Sequence, residues 1–413
     1  MRRRHLLQAG AGTLLASGLA LDAVRTWAAP VGTGVDSRLL VVFLRGGYDA
    51  CNVLVPIASP FYAEARPHLA IARPGTAADA ALELTADWGL APALKETIHP
   101  RVRAGEVAFV PFAGTHDLSR SHFETQDRIE HGLPLPGEAR PAAMARTDAD
   151  SGFLNRLAQV LGTRLDADRR VMAFTDHLPI ALQGARVVPN AGLVRVRPSG
   201  LDAGQSALVE RMYAGTSLEP RVREGLATQA EVARDLSDEM MKASRDAVSA
   251  RGFQAEAGRI ARLMREDVRI GFVDVGGWDT HVGQGAASGT LATRIADLGQ
   301  GLDTFAKAMG PEWRRTVVVV ISEFGRTFRE NGNRGTDHGH GTAYWVLGGG
   351  VRGGIHGEQV ALTPATLDEG RDWPVLNEYR GVLGGLFRRM YGLDAAQLAR
   401  VFPGAAMADL HLV

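Results

Sequence analysis

The chain is poor in cysteine and lysine, and each shortage excludes something. Its single cysteine, Cys51, rules out an internal disulfide. Lying among apolar residues in "DACNVLVP", it reads as a small buried hydrophobe rather than a reactive thiol. Lysine occurs only at Lys95, Lys242 and Lys307, and arginine supplies the other positive charge. With 46 basic and 46 acidic residues the formal charge is zero, so the basic footprint of a nucleic-acid-binding protein is missing. Beyond the N-terminal leader no run reaches the ~18 apolar residues of a membrane span. No tandem repeat or low-complexity tract stands out.

What remains is a chain of 413 residues, 45% hydrophobic and 22% charged, enough for one large α/β domain or two smaller ones. The leader, "MRRRHLLQAGAGTLLASGLALDAV", is weakly apolar behind its arginines, and "RTWAAP" offers a small-residue cleavage site near Ala28 or Ala29. Arg3-Arg4-His5-Leu6-Leu7 matches the twin-arginine export pattern. Residues 1–29 are therefore expected to be a twin-arginine signal peptide, and the product periplasmic or secreted. Without it the chain has 42 basic against 45 acidic residues, a net of −3. A main domain is expected over residues 36–413, with an insertion or cap at about 133–255, where residues 198–215 show no strand period.

Uniformly apolar runs of strand length are predicted at residues 39–44, 105–112, 170–174, 268–275, 316–322 and 343–350. Helices are predicted at 121–132, opened by a Ser121/Glu124 capping box and closed by Gly132, and at 221–250, 256–266, 291–309 and 378–391. Buried strands alternating with helices imply an α/β fold: a mostly parallel sheet covered on both faces. In such sheets ligands sit beyond the carboxyl ends of the strands. There the sequence places Asp49 and Asn52; then His116, Asp117, Ser119, Ser121 and His122; then Asp279 and His281; then Glu323, Arg326, Asp337, His338 and His340.

In "GGWDTH", Asp279 and His281 are two apart. On an extended segment both point the same way and could reach one cation, with carboxylate plus imidazole suiting zinc or manganese. In "TDHGHG", an acid and two histidines in four residues exceed what a turn requires and point to metal or phosphate contact, and His338 or His340 could ligate directly while the other supports. For "SEFGRT" two roles stand side by side. Glu323 and Arg326 either form an ion pair holding the loop, or act as a metal ligand and a fork for an anionic oxygen. Ser121 reads as a helix N-cap, with Ser119 as a neighbouring hydroxyl that could react. Asp49 is either a turn aspartate or part of the same site.

Together "FLRGGYDACNVLVP", "SRSHFETQD", "GGWDTHVGQ", "SEFGRT" and "DHGHGTAYWVLGGGVRGG" resemble the twin-arginine-exported Domain of Unknown Function family 1501, across about residues 37–395. That family is similar to the alkaline phosphatase-like superfamily, so the resemblance implies a three-layer α/β/α sandwich with metal at the strand ends. By that pattern Asp49, Asp279, His281, Glu323 and His338 or His340 resemble metal ligands for one or two divalent ions. Phe324 stands where the superfamily has a histidine, which Asp337 and His338 would have to replace. Ser121, or else Ser119, is the positional match to the nucleophile. Cys51 lacks the Cys-x-Pro-x-Arg context of formylglycine sulfatases. The expected function is metal-dependent hydrolysis of a small phosphate or sulfate ester. The alternative is a non-catalytic exported protein of the same fold that binds an anionic ligand or a partner.

Overall fold

The computed structural model describes residues 36–138, 151–162, 165, 170–192, 215–216 and 244–413. Its main sheet contains β1 (Arg38–Leu44), β2 (Val107–Gly114), β3 (Arg170–Ala173), β4 (Val268–Gly276), β5 (Thr316–Ser322) and β6 (Thr342–Leu347), close to the predicted spans. The spatial order is β2-β6-β5-β1-β4-β3. β1 is parallel to β4 on one side and to β5 on the other, with Val42 level with Val273 and Val320. β3 is parallel to β4. β6 runs against both β5 and β2, so β2 points the same way as β5. The carboxyl ends of β1, β2, β4 and β5 therefore face one rim. Short strands extend this sheet: Gly354–Ile355 and Asn377–Glu378 beside β2, and Val248–Ser249 beside β4. A separate small sheet joins Leu54–Val55, Gly89–Leu90 and Leu82–Glu83.

Alternation along β1 divides the core into two. Leu40, Val42 and Leu44 enter one apolar cluster with Phe253, Ile260, Leu298 and Phe305. Leu39, Val41 and Phe43 enter another with Leu154, Leu157, Leu386 and Phe402. The first face carries α3 (Ala250–Glu266) and α4 (Thr290–Met309). The second carries α2 (Phe153–Leu161), α5 (Tyr379–Tyr391) and α6 (Ala395–Val401). The result is three layers, helices on each side of a mostly parallel sheet. Full burial of each large aliphatic side chain contributes about 1.5–3 kcal/mol, which is why β1 is apolar from Leu39 to Leu44; on β4 the buried Asp274 is an exception, held by the Arg45 guanidinium.

Some expectations change. Of the predicted helix over 221–250, residues 221–243 lie outside the described region, Ser244 is helical, and the chain then leaves the helix until Ala250. Arg245 and Asp246 have positive φ, Val248–Ser249 pairs with β4, and Ser249 caps a new helix by accepting from the Gly252 N–H. α3 therefore starts at Ala250, earlier than predicted. Much of the expected insertion, and all of the leader, also lies outside the described residues. Within the 133–255 span, α2 and β3 belong to the layers of the main domain.

Helix α1 (His122–His131) follows β2 and matters most to the rim. Ser121 caps it by accepting from the Glu124 N–H, and Gly132 closes it at φ 65°. The predicted capping box is half formed, because the Glu124 carboxylate turns outward to Arg128. Among the described residues no helix is long and apolar enough to cross a membrane.

Candidate metal centre

Four segments meet at the rim. α1 presents His122 from its first turn. The loop after β4 brings Asp279 and His281. β5 ends on Glu323. The ribbon from 325 to 341 folds back on itself, with Arg326 opposite His338, the Thr327 N–H donating to the Asp337 carbonyl and the Gly339 N–H to Gly325. Two glycines are required for the approach. A Cβ on Gly46, at φ 117°, would lie 2.7 Å from the Asp279 nitrogen, and one on Gly335 would lie 2.2 Å from the His281 carbonyl carbon.

The three histidines share one pattern. His122 Nδ1 lies 2.8 Å from Glu323 Oε1, His338 Nδ1 2.9 Å from the Arg120 carbonyl, and His281 Nδ1 3.2 Å from Asp337 Oδ1. Carbonyls and carboxylates only accept, so each Nδ1 carries the proton. A ring without a second proton then turns an Nε2 lone pair inward. His338 Nε2 lies 3.0 Å from His122 Nε2 and 3.1 Å from His281 Nε2. Asp279 Oδ1 is 2.8 Å from His281 Nε2 and 3.3 Å from His338 Nε2, and Oδ2 is 3.4 Å from His122 Nε2. Ligating atoms of His122, Asp279 and His338 all lie within 4.8 Å of one another. A tetrahedral shell with bonds of about 2.0–2.1 Å has edges of about 3.3 Å, close to the separations among His122, Asp279 and His338.

Lone pairs facing a buried carboxylate need a positive charge between them. A proton can supply it. Burial pulls His122 down, but hydrogen bonds from its ring to the Asp279 and Glu323 carboxylates outweigh burial and push it up to about 9. Burial likewise opposes ionisation of Asp279, yet His122, His281, His338 and the Arg326 charge hold it far below the usual carboxylate range. Glu323 is fully buried, but His122 and Gln126 bring it down to about 2. A divalent ion can supply the same charge with better geometry. Three imidazole nitrogens and one carboxylate suit zinc or manganese, so the residues fit the ion that the resemblance implies.

The sequence-predicted residues divide into those at the centre and those around it. Asp279, His281 and His338 converge. Glu323 and Asp337 stand one step out and orient His122 and His281, as carboxylates commonly do behind metal-ligating imidazoles. Glu323 is further fixed by the Gly46 N–H at 2.7 Å and Gln126 Nε2 at 2.9 Å. Arg326 donates from Nη1 to Asp279 Oδ1 at 2.7 Å, while its Nη2 has no partner among the described residues.

Asp49 is not brought to the centre. Arg66 grips it at 2.6 and 3.1 Å, Gln284 donates to it at 2.6 Å, and the Cys51 N–H does so at 3.2 Å. His340 also stays out of the converging group: its carbonyl accepts from the Gly325 N–H, and burial lowers the pKa of its ring. Ser121 is occupied as a cap, and Ser119 Oγ donates to Asp117 Oδ2 at 3.0 Å. Cys51 is buried and its thiol pushed up to about 12 by desolvation. The Phe324 ring packs 4.8 Å from His122 and 5.2 Å from His338, walling the side where a second histidine ligand would enter. Among the described residues this is the one cluster with metal-ligand spacing.

Sequence reasoning gave no role to His122, to Gln126 behind its Glu323 partner, or to Arg66 and Gln284 around Asp49. His122 was visible among the polar residues following the second strand, and that place at a strand's carboxyl end was the available signal.

Fold and site define a three-layer α/β protein with a strand-end histidine–aspartate centre. Residues 36–382 match the family model described as "Protein of unknown function (DUF1501)", and the chain belongs to that family. Comparison with curated proteins gives no match. Among solved structures, a protein in the alkaline phosphatase superfamily from Vibrio parahaemolyticus is similar at 12% identity and TM-score 0.38, covering 84% of this chain and 71% of that one. A 2-O GAG sulfatase, BT1596, is similar at 9% identity and TM-score 0.37, covering 87% and 72%. Likenesses this distant carry nothing about activity.

Proposed function

We propose that this protein is an exported metal-dependent hydrolase of small phosphate or sulfate esters, working with one divalent ion, zinc or manganese. The supporting observation is the convergence of His122, His281 and His338 Nε2 on Asp279, with every Nδ1 already committed to an acceptor. A divalent ion held there would supply Lewis acidity toward an ester oxygen. The chain's own residues would do the rest. Glu323, Asp337 and the Arg120 carbonyl keep the rings aimed. Arg326 fixes Asp279 and retains Nη2 as a donor for an anionic oxygen. His281 and His338 are partly exposed, about 20% each, so a small substrate has access from their side. With Ser119 and Ser121 both held in local hydrogen bonds, water rather than a serine is the nucleophile this arrangement favours.

A second reading, an exported protein that binds an anion without turnover, is favoured by the same engagement of Ser119 and Ser121 in local hydrogen bonds. Metal analysis with turnover assays separates the two. Purified protein containing about one equivalent of zinc or manganese, and cleaving 4-nitrophenyl phosphate or sulfate, supports the hydrolase. Stoichiometric anion binding without turnover would replace it with the binder. Export through the twin-arginine route is supported by the Arg3-Arg4 pattern, and would be checked by cleavage near Ala28 or Ala29 that is lost on replacing both arginines with lysine.

A further inference from the structure

Behind Arg326 lies a chain of buried polar groups that no sequence motif announces. Arg66 donates twice to Asp49. Gln284 Nε2 donates to Asp49 Oδ2 at 2.6 Å. Gln284 Oε1 accepts from Thr336 Oγ1 at 2.8 Å and from Thr280 Oγ1 at 3.0 Å. Thr336 Oγ1 accepts from Arg326 Nε at 3.3 Å, and Arg326 Nη1 donates to Asp279. Gln284, Thr336 and Arg66 are fully buried, and Asp49, Arg326 and Asp279 nearly so.

The chain has one allowed direction. A carboxylate cannot donate, so the Gln284 amide must turn its NH2 toward Asp49 and its oxygen toward the hydroxyls. Thr336 must then donate to Gln284, which leaves its lone pairs for Arg326 Nε. Arg326 is thereby locked in the rotation that aims Nη1 at Asp279. Thr280, one residue after Asp279, is anchored by the same amide oxygen. One glutamine thus holds the metal-facing carboxylate from two sides, through its guanidinium partner and through the adjacent backbone.

We propose that Gln284 is a positioning residue for the metal centre, transmitting the fixed orientation of the Asp49–Arg66 pair to Asp279 through Thr336 and Arg326. This rests on the metal reading above. It assigns Asp49 a part in metal affinity without contact with the ion.

The test measures zinc dissociation constants by chelator competition on the full mature chain, with the melting temperature of each metal-free variant recorded separately. Gln284→Leu keeps the bulk and removes both ends of the amide. Thr336→Val is nearly isosteric and cuts the chain at one link. Each is expected to weaken zinc binding about 10- to 100-fold, the usual cost of losing an outer-shell partner, while stoichiometry at saturating zinc stays that of wild type. Gln284→Glu places a carboxylate against Asp49 and is expected to weaken binding at least as much. If Gln284→Leu does not fold, Thr336→Val decides. Wild-type affinity in Thr336→Val, or in a folded Gln284→Leu, overturns the relay even if melting temperature falls, since that would be support for the fold alone. A wild-type chain that binds no zinc and no manganese overturns the metal reading itself, and the relay with it.

Discussion

Two aspartates, Asp49 and Asp279, stand just beyond neighbouring parallel strands and are almost equally buried, at 1% and 4% exposure. Their surroundings differ in kind. Around Asp49 everything donates: the Arg66 guanidinium reaches both oxygens, and the Gln284 amide and the Cys51 N–H complete the shell. Charge cancels and hydrogen bonding is complete, as a buried ion pair requires. Around Asp279 one guanidinium donates, and three rings whose N–H groups point elsewhere present lone pairs. That corner is complete only with an added positive charge. A buried carboxylate thus says little by itself. What faces it, donors or more acceptors, separates a structural corner from a site.

Exchanging the two aspartates' roles by mutation breaks the comparison most sharply. Asp279→Ala is expected to reduce bound zinc or manganese from about one equivalent to none, measured on protein purified with the metal in excess. Asp49→Ala should keep that stoichiometry at saturating metal but lose about 3–5 kcal/mol in denaturant unfolding, because Arg66 is left buried and unpaired. The opposite result, metal lost with Asp49 and retained without Asp279, would put the ion at the wrong corner. A step smaller is Glu323→Gln, which leaves His122 in place but removes the charge behind it. Metal affinity should fall about 10- to 100-fold with stoichiometry unchanged. Total loss of metal would instead make Glu323 a direct ligand.

This division also explains what could be read from the sequence. The strands were legible because their signal is local: "TVVVVIS" is apolar without a break from Val317 to Ile321, and the structure buries it on both faces. Asp279, His281 and His338 were legible because acid and imidazole sit one or two positions apart beyond buried strands. Asp49 and Glu323 are likewise acids just past buried strands, and nothing near them in sequence reveals their different fate. Asp49 is claimed by Arg66, which arrives from the turn after a short helix, and by Gln284, 235 residues away. Glu323 spends one oxygen on a backbone N–H 277 residues distant. His122 was hidden by a true local signal: Ser121 is a helix cap, and cap grammar says nothing about where the next side chain points. Element type follows from neighbours in the chain, whereas the role of a polar residue follows from neighbours in space.

A milder test uses pH in place of mutation. His122 has a folded pKa of about 9 in the ion-free protein, above its ordinary value of about 6.5. A raised pKa adds stability that is fully present below about pH 6.5 and is lost as pH climbs through about 9. Chelator-treated protein should therefore lose melting temperature across that window, and His122→Gln should flatten the slope. Saturating zinc should flatten it as well, since a ligating ring holds no Nε2 proton for hydroxide to remove. The Asp49 corner, with no histidine among its contacts, should leave no mark there. A slope that survives in His122→Gln would move the titration to another group.

The smallest effect sharpens the comparison from outside both corners. Ser121 precedes His122 and accepts from the Glu124 N–H at 3.5 Å, a long hydrogen bond on a partly exposed turn. If the hydroxyl only caps α1, Ser121→Ala should cost about 1 kcal/mol of stability and nothing in metal stoichiometry. Ester turnover, if present, should then persist within a few fold, because α1 is also pinned by Gln126 on Glu323 and by Glu130 on Arg45, and His122 keeps its aim. A serine nucleophile predicts the reverse: stability nearly unchanged, metal retained and turnover abolished. Ser119→Ala run beside it closes the remaining gap. Its hydroxyl braces Asp117 and Thr125 rather than the rim, so activity lost there but kept in Ser121→Ala would assign the attack to the loop and not to water.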